Sequence, residues 1–178
     1  EAYNMKVMST RMFTHTGPRR SDFFAESSFA KQIAMIEQNL QKPIIKVGNL
    51  NSLRTIADVR DAVRAYYMLL NKDPIAGEFY NIGGNNEIKN LDIVNIICEL
   101  MNELKPSKNG DYKNLMTFVK DRPGHDYRYA IDSTKIQNEL GWKPIETFTT
   151  GIRKTIKWYL ENENWWREIQ NMKYNQER

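Results

Sequence analysis

The stretch from Asp121 to Pro144 reads DRPGHDYRYAIDSTKIQNELGWKP, and its first half is built around a turn. Proline at 123 and glycine at 124 are residue types that favour chain reversal, proline because its φ is fixed and glycine because it tolerates positive φ. The turn carries Arg122 on one side and His125 on the other. We therefore expect a guanidinium group and an imidazole to be presented together by one tight turn.

The second half of this stretch has the signals of a short helix with defined ends. Asp132 or Ser133 can cap its N-terminus, because a side-chain oxygen there can accept a hydrogen bond from a free backbone N–H. Gly141 can end the helix in a left-handed conformation, and Pro144 prevents its continuation. Trp142, directly after the glycine, is predicted to anchor the helix by packing.

Strand-like and helix-like segments alternate along the rest of the chain, which predicts an α/β fold. We expect strands at Met5–Phe13, Ile44–Val47, Glu78–Ile82 and Met116–Val119, and helices ending near Leu40, over Val59–Leu70, over Asn90–Leu104 and from Phe148. The apolar spacing predicts these buried helix faces: Phe29, Ile33, Ile36 and Leu40; Val59, Ala62, Val63, Tyr66 and Leu70; Ile93, Ile97, Leu100 and Leu104; Ile152, Ile156, Tyr159 and Leu160.

Composition excludes several classes of protein. Hydrophobic residues make up 40% and charged residues 27% of the 178 residues, as in ordinary globular proteins. The net charge of +4 is modest and forms no dense basic stripe, so we expect no nucleic-acid partner. Because no apolar run reaches membrane-spanning length and Cys98 is the single cysteine, we expect a cytoplasmic protein with an inert, buried thiol, and no membrane partner.

Four segments each place a cation or a hydrogen-bond donor beside a turn or a helix start. They contain Thr14, His15, Arg19 and Arg20; Ser27, Ser28 and Lys31; Arg54; and Arg122 with His125. Guanidinium groups bind phosphate oxygens in a bidentate manner, so such donors would suit a diphosphate if the fold brings them together. Spacing alone leaves open that each arginine is a surface or salt-bridge residue. His15 and His125 are too few for a metal site, and we expect none.

The order of these motifs resembles the C-terminal part of nucleotide-sugar 4,6-dehydratases in the extended short-chain dehydrogenase/reductase family. RMFTHTGPRR at 11–20 and NLNSLRTIADVRDAVRAYYMLL at 49–70 are similar to GDP-mannose 4,6-dehydratases, whereas RPGHDYRYAID with GWKPIETFTTGI is similar to dTDP-glucose 4,6-dehydratases. EFYNIGG at 78–84 resembles the strand that returns to the cofactor domain. From the resemblance we expect the substrate-binding part of a GDP-mannose 4,6-dehydratase-like enzyme of deoxysugar biosynthesis, with a GDP-sugar favoured and a dTDP-sugar of the dTDP-glucose type as the other candidate.

The resemblance implies a C-terminal substrate domain together with returning strands of a Rossmann-type NAD(P)-binding domain whose N-terminal part is absent. Residues 1–20 would be the last strand and loop of the cofactor domain. Residues 21–166 would be the substrate-binding region, of which 48–84 would pack on the cofactor domain, and 167–178 would be a polar tail. The full-length parent enzyme would use NAD or NADP and would be a homo-oligomer.

The resemblance also implies residue roles. Thr14 stands where the family has an asparagine that contacts the substrate diphosphate, and Arg54 matches an arginine on the nucleotide phosphates. Arg122 and His125 match positions that hold the diphosphate, and Gly17–Pro18 match the turn beside the nicotinamide. The remaining expected substrate contacts are His15, Arg19, Glu26 and Ser27, with Glu26 able to accept hydrogen bonds from a guanine.

No catalytic residue is expected in the chain itself. The sequence contains neither a glycine-rich dinucleotide loop nor a Tyr-x-x-x-Lys pair, so both would precede Glu1, and the chain alone would bind no cofactor and be inactive. A 4-epimerase or a 4-keto-6-deoxy-sugar reductase of the same family is an alternative parent. A non-catalytic module that binds a nucleotide sugar is a third hypothesis.

Overall fold

The structure is a computed structural model that describes residues 6–72, 76–84, 86–108, 110–121, 124–165 and 167. Its strands are β1 (Ser9–Met12), β2 (His15–Thr16), β3 (Ile45–Val47), β4 (Leu53–Thr55), β5 (Ala57–Asp58), β6 (Phe79–Ile82), β7 (Glu87–Lys89), β8 (Met116–Phe118) and β9 (Arg128–Tyr129). Its helices are α1 (Ala25–Glu37), α2 (Val59–Asn71), α3 (Asn90–Leu104), α4 (Thr134–Leu140) and α5 (Phe148–Glu161), with a 3₁₀ turn at Tyr112–Leu115. The α/β prediction is confirmed, whereas Arg122, Pro123 and the expected tail beyond 167 lie outside the described residues.

Parallel strand pairs dominate the sheets. β1 pairs with β6, β2 with β5, and β3 with β8, all in parallel. β4 lies between an antiparallel β7 and a parallel β9. Parallel neighbours need long connections, and here these connections contain the helices. The first strand, β1, and the EFYNIGG strand, β6, thus lie side by side in parallel.

Two apolar clusters hold the fold together. The larger cluster joins α1, α3 and α5 to β3, with Ile33, Ile45 and Ile97 fully buried. The smaller one joins α2, β6 and α4 around Tyr80 and Trp142. Each fully buried aliphatic side chain contributes about 1.5–3 kcal/mol of transfer free energy, so these clusters are the main source of stability.

The predicted buried face of α2 is partly wrong. Ala62 is buried, but Val63, Tyr66 and Leu70 are exposed, Leu70 by 78%. The helix instead packs through Ala65 and Leu69 against the smaller cluster. The exposed stripe and the buried stripe both repeat at helical spacing, so the sequence pattern could not show which one is buried. Packing against α4 and β6 determines the buried stripe.

The predicted end of the first helix is also wrong. Leu40 was expected on the buried face, but α1 ends at Glu37 and Leu40 is exposed. Asn39 has a φ of 57°, which reverses the chain and lets the Leu40 N–H donate to the carbonyl of Met35. By contrast, α3 covers the predicted residues and buries Ile93, Ile97 and Leu100.

The short helix predicted in the second half of the Asp121–Pro144 stretch forms as predicted. Ser133 stands at the N-cap of α4, and the Asp132 carboxylate accepts from the Thr134 N–H at 2.8 Å. Gly141 ends the helix with a φ of 68°, and Trp142 behind it is fully buried. The sequence signals at both ends of this helix therefore determined its limits.

Replacing Gly141 with alanine is expected to lower the free energy of unfolding by about 1 kcal/mol, because a β-carbon disfavours the left-handed conformation. The space around position 141 is open, with nothing within 4 Å of an added Cβ, so the loss is conformational rather than steric. Gly141→Asn is the control, since asparagine tolerates this conformation. Urea unfolding measures both, and equal losses in the two variants would contradict the explanation.

Cys98 is buried, as expected of an inert thiol. Burial raises the pKa of this thiol to about 12, with a smaller contribution from Asp111. Because the thiolate is the reactive form, the side chain is a packing group in α3. Among the described helices, none is long and apolar enough to cross a membrane.

Candidate functional site

Arg54 is the centre of the candidate site. It lies on β4, the middle strand of its sheet, and is only 9% exposed. Its Nη1 donates to the carbonyl of Leu53 at 2.7 Å, and its Nη2 donates to the carbonyl of Asp126 at 2.7 Å. The guanidinium group is thereby fixed in plane and direction by backbone oxygens, which suits a group that must meet a ligand in one orientation.

His125 is a side-chain neighbour of Arg54. Arg54 Nη2 and His125 Nε2 are 2.6 Å apart, although 71 residues separate them in sequence. His125 Nδ1 lies 2.8 Å from Asp121 Oδ2. The structure therefore brings together two of the predicted phosphate-binding residues in direct contact. Their partner Arg122 lies outside the described residues.

Aromatic rings connect this pair to the N-terminal segment. The Tyr129 ring centroid is 5.1 Å from Arg54 Cζ, and the Tyr129 hydroxyl donates to Asp126 Oδ2 at 2.5 Å. On its other side Tyr129 meets the Phe13 ring edge-to-face, at 5.9 Å between centroids. Because Thr14 follows Phe13 directly, the predicted THTGPRR loop begins beside the Arg54 site.

Backbone pairing holds the first half of the THTGPRR loop beside β5. The Thr14 carbonyl accepts from the Ala57 N–H at 3.0 Å, and His15 is in register with Ala57. A Cβ at Gly17 would come within 2.4 Å of Val59 Cγ1, so this glycine is required for β2 to approach the start of α2. That packing explains Gly17 and supplies no phosphate-binding loop. The expected place of Gly17–Pro18 beside the nicotinamide stays a prediction from the resemblance.

Arg19 and Glu26 make contacts that join the THTGPRR loop to helices. Arg19 has a φ of 71° and lies over Trp158 and Trp165, with its Cζ 5.5 and 5.8 Å from the ring centroids. Glu26 is 3% exposed and pairs with Arg20, the Oε1 and Nε atoms lying 2.8 Å apart. The loop is thus attached to α5 by Arg19 and to α1 by the Arg20–Glu26 pair.

The electrostatics of Glu26 are those of a buried ion pair. Burial raises the pKa of the Glu26 carboxyl, and the nearby Arg20 guanidinium opposes that shift, with a smaller contribution of the same sign from His15. Ser27, the next residue, is also buried. The Glu26 carboxylate is therefore engaged in an ion pair within the protein.

Sequence reasoning missed three residues of the site. Asp121 begins the stretch that contains His125 but was not identified as a contact, and Tyr129 was overlooked entirely. Gly48 leaves space for the Asp121 carboxylate, since a Cβ at 48 would lie 2.9 Å from Asp121 Oδ1. Only the four-residue spacing of Asp121 and His125 could have indicated their pairing. Among the described residues, no three His, Cys, Asp or Glu side chains form a possible metal site.

Parallel strands, and an arginine on a central strand in contact with a partly buried histidine, define the chain as an α/β protein with a candidate anion site. A family model described as GDP-mannose 4,6 dehydratase matches residues 1–155, so the chain belongs to this family of nucleotide-sugar 4,6-dehydratases. The family predicted from the sequence is therefore confirmed.

Individual relatives agree with this assignment. A dTDP-glucose 4,6-dehydratase from Shigella flexneri is 50% identical over 171 residues, covering 96% of this chain and 45% of the relative. A probable dTDP-glucose 4,6-dehydratase from Sinorhizobium fredii is 49% identical over 138 residues, covering 78% of this chain and 39% of the relative.

The fold is similar to that of solved dehydratases. The crystal structure of a dTDP-glucose 4,6-dehydratase from Bacillus anthracis, in complex with NAD, matches with a TM-score of 0.78 and 30% identity, covering 94% of this chain and 49% of that one. The chain therefore spans less than half the length of these relatives.

Proposed function

We propose that the chain is the substrate-binding part of an NAD-dependent nucleotide-sugar 4,6-dehydratase and that Arg54, His125 and Arg122 hold the substrate diphosphate. The observation that carries this proposal is the contact of Arg54 with His125 in the Asp121–Pro144 stretch. Arg54 Nη2 and His125 Nε2 lie 2.6 Å apart. A guanidinium group that is already fixed by carbonyl oxygens loses little conformational entropy when it binds a phosphate. Family membership supports the same assignment.

The remaining site residues and the domain division stay part of this proposal. Thr14 and His15 would extend the diphosphate site along the strand beside Tyr129, and Arg19 and Ser27 would contact the substrate farther from Arg54. Residues 1–20 and 48–84 would pack against the cofactor-binding part of the parent enzyme. The cytoplasmic location and the oligomeric parent remain predictions from the sequence.

We further propose dTDP-glucose rather than GDP-mannose as the substrate. Two relatives that match at 49% and 50% identity are named for dTDP-glucose. In addition, Glu26, the one acceptor expected to read guanine, is paired with Arg20 and almost fully buried. GDP-mannose is the second candidate, favoured by the description of the family model and by the similarity of residues 11–20 and 49–70.

NAD, which the Bacillus anthracis relative holds, would supply the hydride exchange when bound to the parent enzyme. This chain contains no glycine-rich dinucleotide loop and no Tyr-x-x-x-Lys pair, so we propose that it is inactive alone. Its own residues would bind the nucleotide and orient the sugar. Holding the reacting carbon in position is a contribution of proximity rather than of bond chemistry.

Calorimetric titration of the chain with dTDP, dTMP and GDP tests the proposal. We expect dTDP to bind about tenfold or more tightly than dTMP, since charge-assisted bonds to the second phosphate are lost with it. We also expect dTDP to bind more tightly than GDP. Equal binding of dTDP and dTMP would overturn the diphosphate site, and a preference for GDP would reverse the choice of substrate.

The parent enzyme distinguishes a dehydratase from the two alternative activities. A 4-keto-6-deoxy sugar formed from dTDP-glucose supports dehydration. A sugar changed only in configuration at C4 would instead indicate an epimerase. Reduction of an added 4-keto-6-deoxy sugar, with no dehydration, would indicate a reductase.

A further inference from the structure

The protonation of His125 follows from its contact with Arg54. An arginine side chain has only N–H donors and no acceptor, so an atom 2.6 Å from its Nη2 must offer a lone pair. The Nε2 atom of His125 must therefore be unprotonated. In a neutral imidazole the proton then resides on Nδ1.

Asp121 is placed to accept a hydrogen bond from that Nδ1–H group. Its Oδ2 lies 2.8 Å from His125 Nδ1, a normal distance for an N–H that donates to a carboxylate. Which nitrogen of a histidine carries the proton is set by the hydrogen bond that the other nitrogen makes. The two contacts are mutually consistent, since Asp121 accepts on one side of the ring and Arg54 donates on the other.

Gly48 makes this arrangement possible. It follows β3, and Asp121 follows the parallel neighbour β8, so the carboxyl ends of both strands meet. The backbone pairing continues one step beyond the strands, with the Val119 N–H donating to the Val47 carbonyl at 2.8 Å. The space that a side chain at 48 would fill is taken by the Asp121 carboxylate.

We propose that Asp121 is a positioning residue for substrate binding: it holds His125 in the Nδ1–H form, so that Nε2 accepts from Arg54 and fixes the guanidinium plane against the diphosphate. Asp121 does not need to touch the ligand for this role. The inference rests on the proposed function, because it explains how the proposed phosphate-binding pair is oriented.

The tautomer can be read directly by ¹⁵N NMR. The chain contains two histidines, and a His15→Gln variant assigns their signals. We expect His125 to be the Nδ1–H tautomer in the unaltered chain and in Asp121→Asn, whose amide oxygen still accepts. In Asp121→Ala we expect the Nε2–H form to appear. An Nε2–H signal in the unaltered chain would overturn the proposal, whether or not a nucleotide binds.

A double-mutant cycle tests the consequence for binding, with dTDP as the probe. We expect Asp121→Ala to weaken dTDP binding by about tenfold, as for the loss of one charge-assisted hydrogen bond, and Asp121→Asn to restore most of it. In a His125→Ala background the same substitution should have no further effect. An equal loss in that background would show that Asp121 acts without His125.

The outcomes separate this inference from the proposed function. If the unaltered chain does not bind dTDP, the proposed function fails. The tautomer of His125 can still be measured, because that experiment needs no nucleotide. If dTDP binds and Arg54→Ala abolishes the binding but Asp121→Ala leaves it unchanged, the function holds and the positioning role is wrong. Gly48→Ala is a second variant, which should weaken dTDP binding less than Asp121→Ala, because its β-carbon meets Oδ1 whereas Oδ2 is the atom that contacts His125.

Discussion

Replacing Asp61 with alanine is expected to destabilise the chain by about 2–4 kcal/mol, because several donors lose their shared acceptor and each buried donor left unsatisfied costs about 1–3 kcal/mol. Asp61 is 2% exposed and lies in the first turn of α2. Its carboxylate accepts from the backbone N–H groups of Ile145 and Glu146 at 2.9–3.0 Å and from Arg64 at 2.8 Å. Alanine would leave these donors without their acceptor.

The effect should be large because Asp61 joins two distant parts of the chain. Its backbone carbonyl accepts from the indole N–H of Trp142 at 3.1 Å, so the same residue holds both the tryptophan and the loop before α5. The first turn of a helix also favours a negative charge. Loss of the carboxylate would therefore loosen the contact between α2 and the start of α5, while the bond from Trp142 to the backbone carbonyl remains.

Urea unfolding followed by circular dichroism measures this loss. Asp92→Ala is the matched control, because Asp92 is also an acid in the first turn of a helix, α3, but is exposed. We expect the control to unfold at the urea midpoint of the unaltered chain. Asp61→Asn, which keeps one acceptor oxygen, should fall between the two. An Asp61→Ala midpoint equal to that of Asp92→Ala would contradict the structural role.

Local signals made some elements predictable from the sequence. The limits of α4 followed from Ser133 and Gly141, because caps act over a few residues. The buried face of α3 followed from one apolar stripe. The α2 face was not predictable in the same way, since Val63 and Leu70 repeat as regularly as Ala65 and Leu69, and the choice depended on distant partners.

For the candidate site, too, residue types were predictable from the local sequence, whereas contacts between distant segments were not. Residue type and turn context identified Arg54 and His125 as phosphate-binding candidates, but nothing in their separate segments predicted that they touch. Tyr129 was missed because an aromatic residue on a short strand has no local pattern that marks it as a site residue. The partner of Glu26 was also unpredictable, since its ion pair with Arg20 depends on how the loop returns to α1.

Replacing Arg54 with alanine is expected to weaken dTDP binding by about 10- to 150-fold, equivalent to about 1.5–3 kcal/mol for a charge-assisted contact. Arg54→Lys should lie between, because lysine keeps the charge but lacks the planar guanidinium group that the Leu53 and Asp126 carbonyls hold in place. Arg128→Ala is the matched control: Arg128 lies on the neighbouring strand β9, in register with Leu53, and its ion pair with Glu87 faces solvent. We expect the control to bind dTDP as the unaltered chain does.

A comparison of dTDP with dTMP separates binding from local folding. Arg54 also donates to the carbonyls of Leu53 and Asp126, so its loss could disturb the loop before β9 without any direct contact with the ligand. In that case both nucleotides would lose affinity by the same factor. If Arg54 holds the diphosphate, the preference for dTDP over dTMP should shrink, because only dTDP offers the second phosphate to the guanidinium. An unchanged dTDP-to-dTMP ratio in Arg54→Ala, measured by calorimetry, would therefore assign Arg54 to the fold alone and remove it from the site.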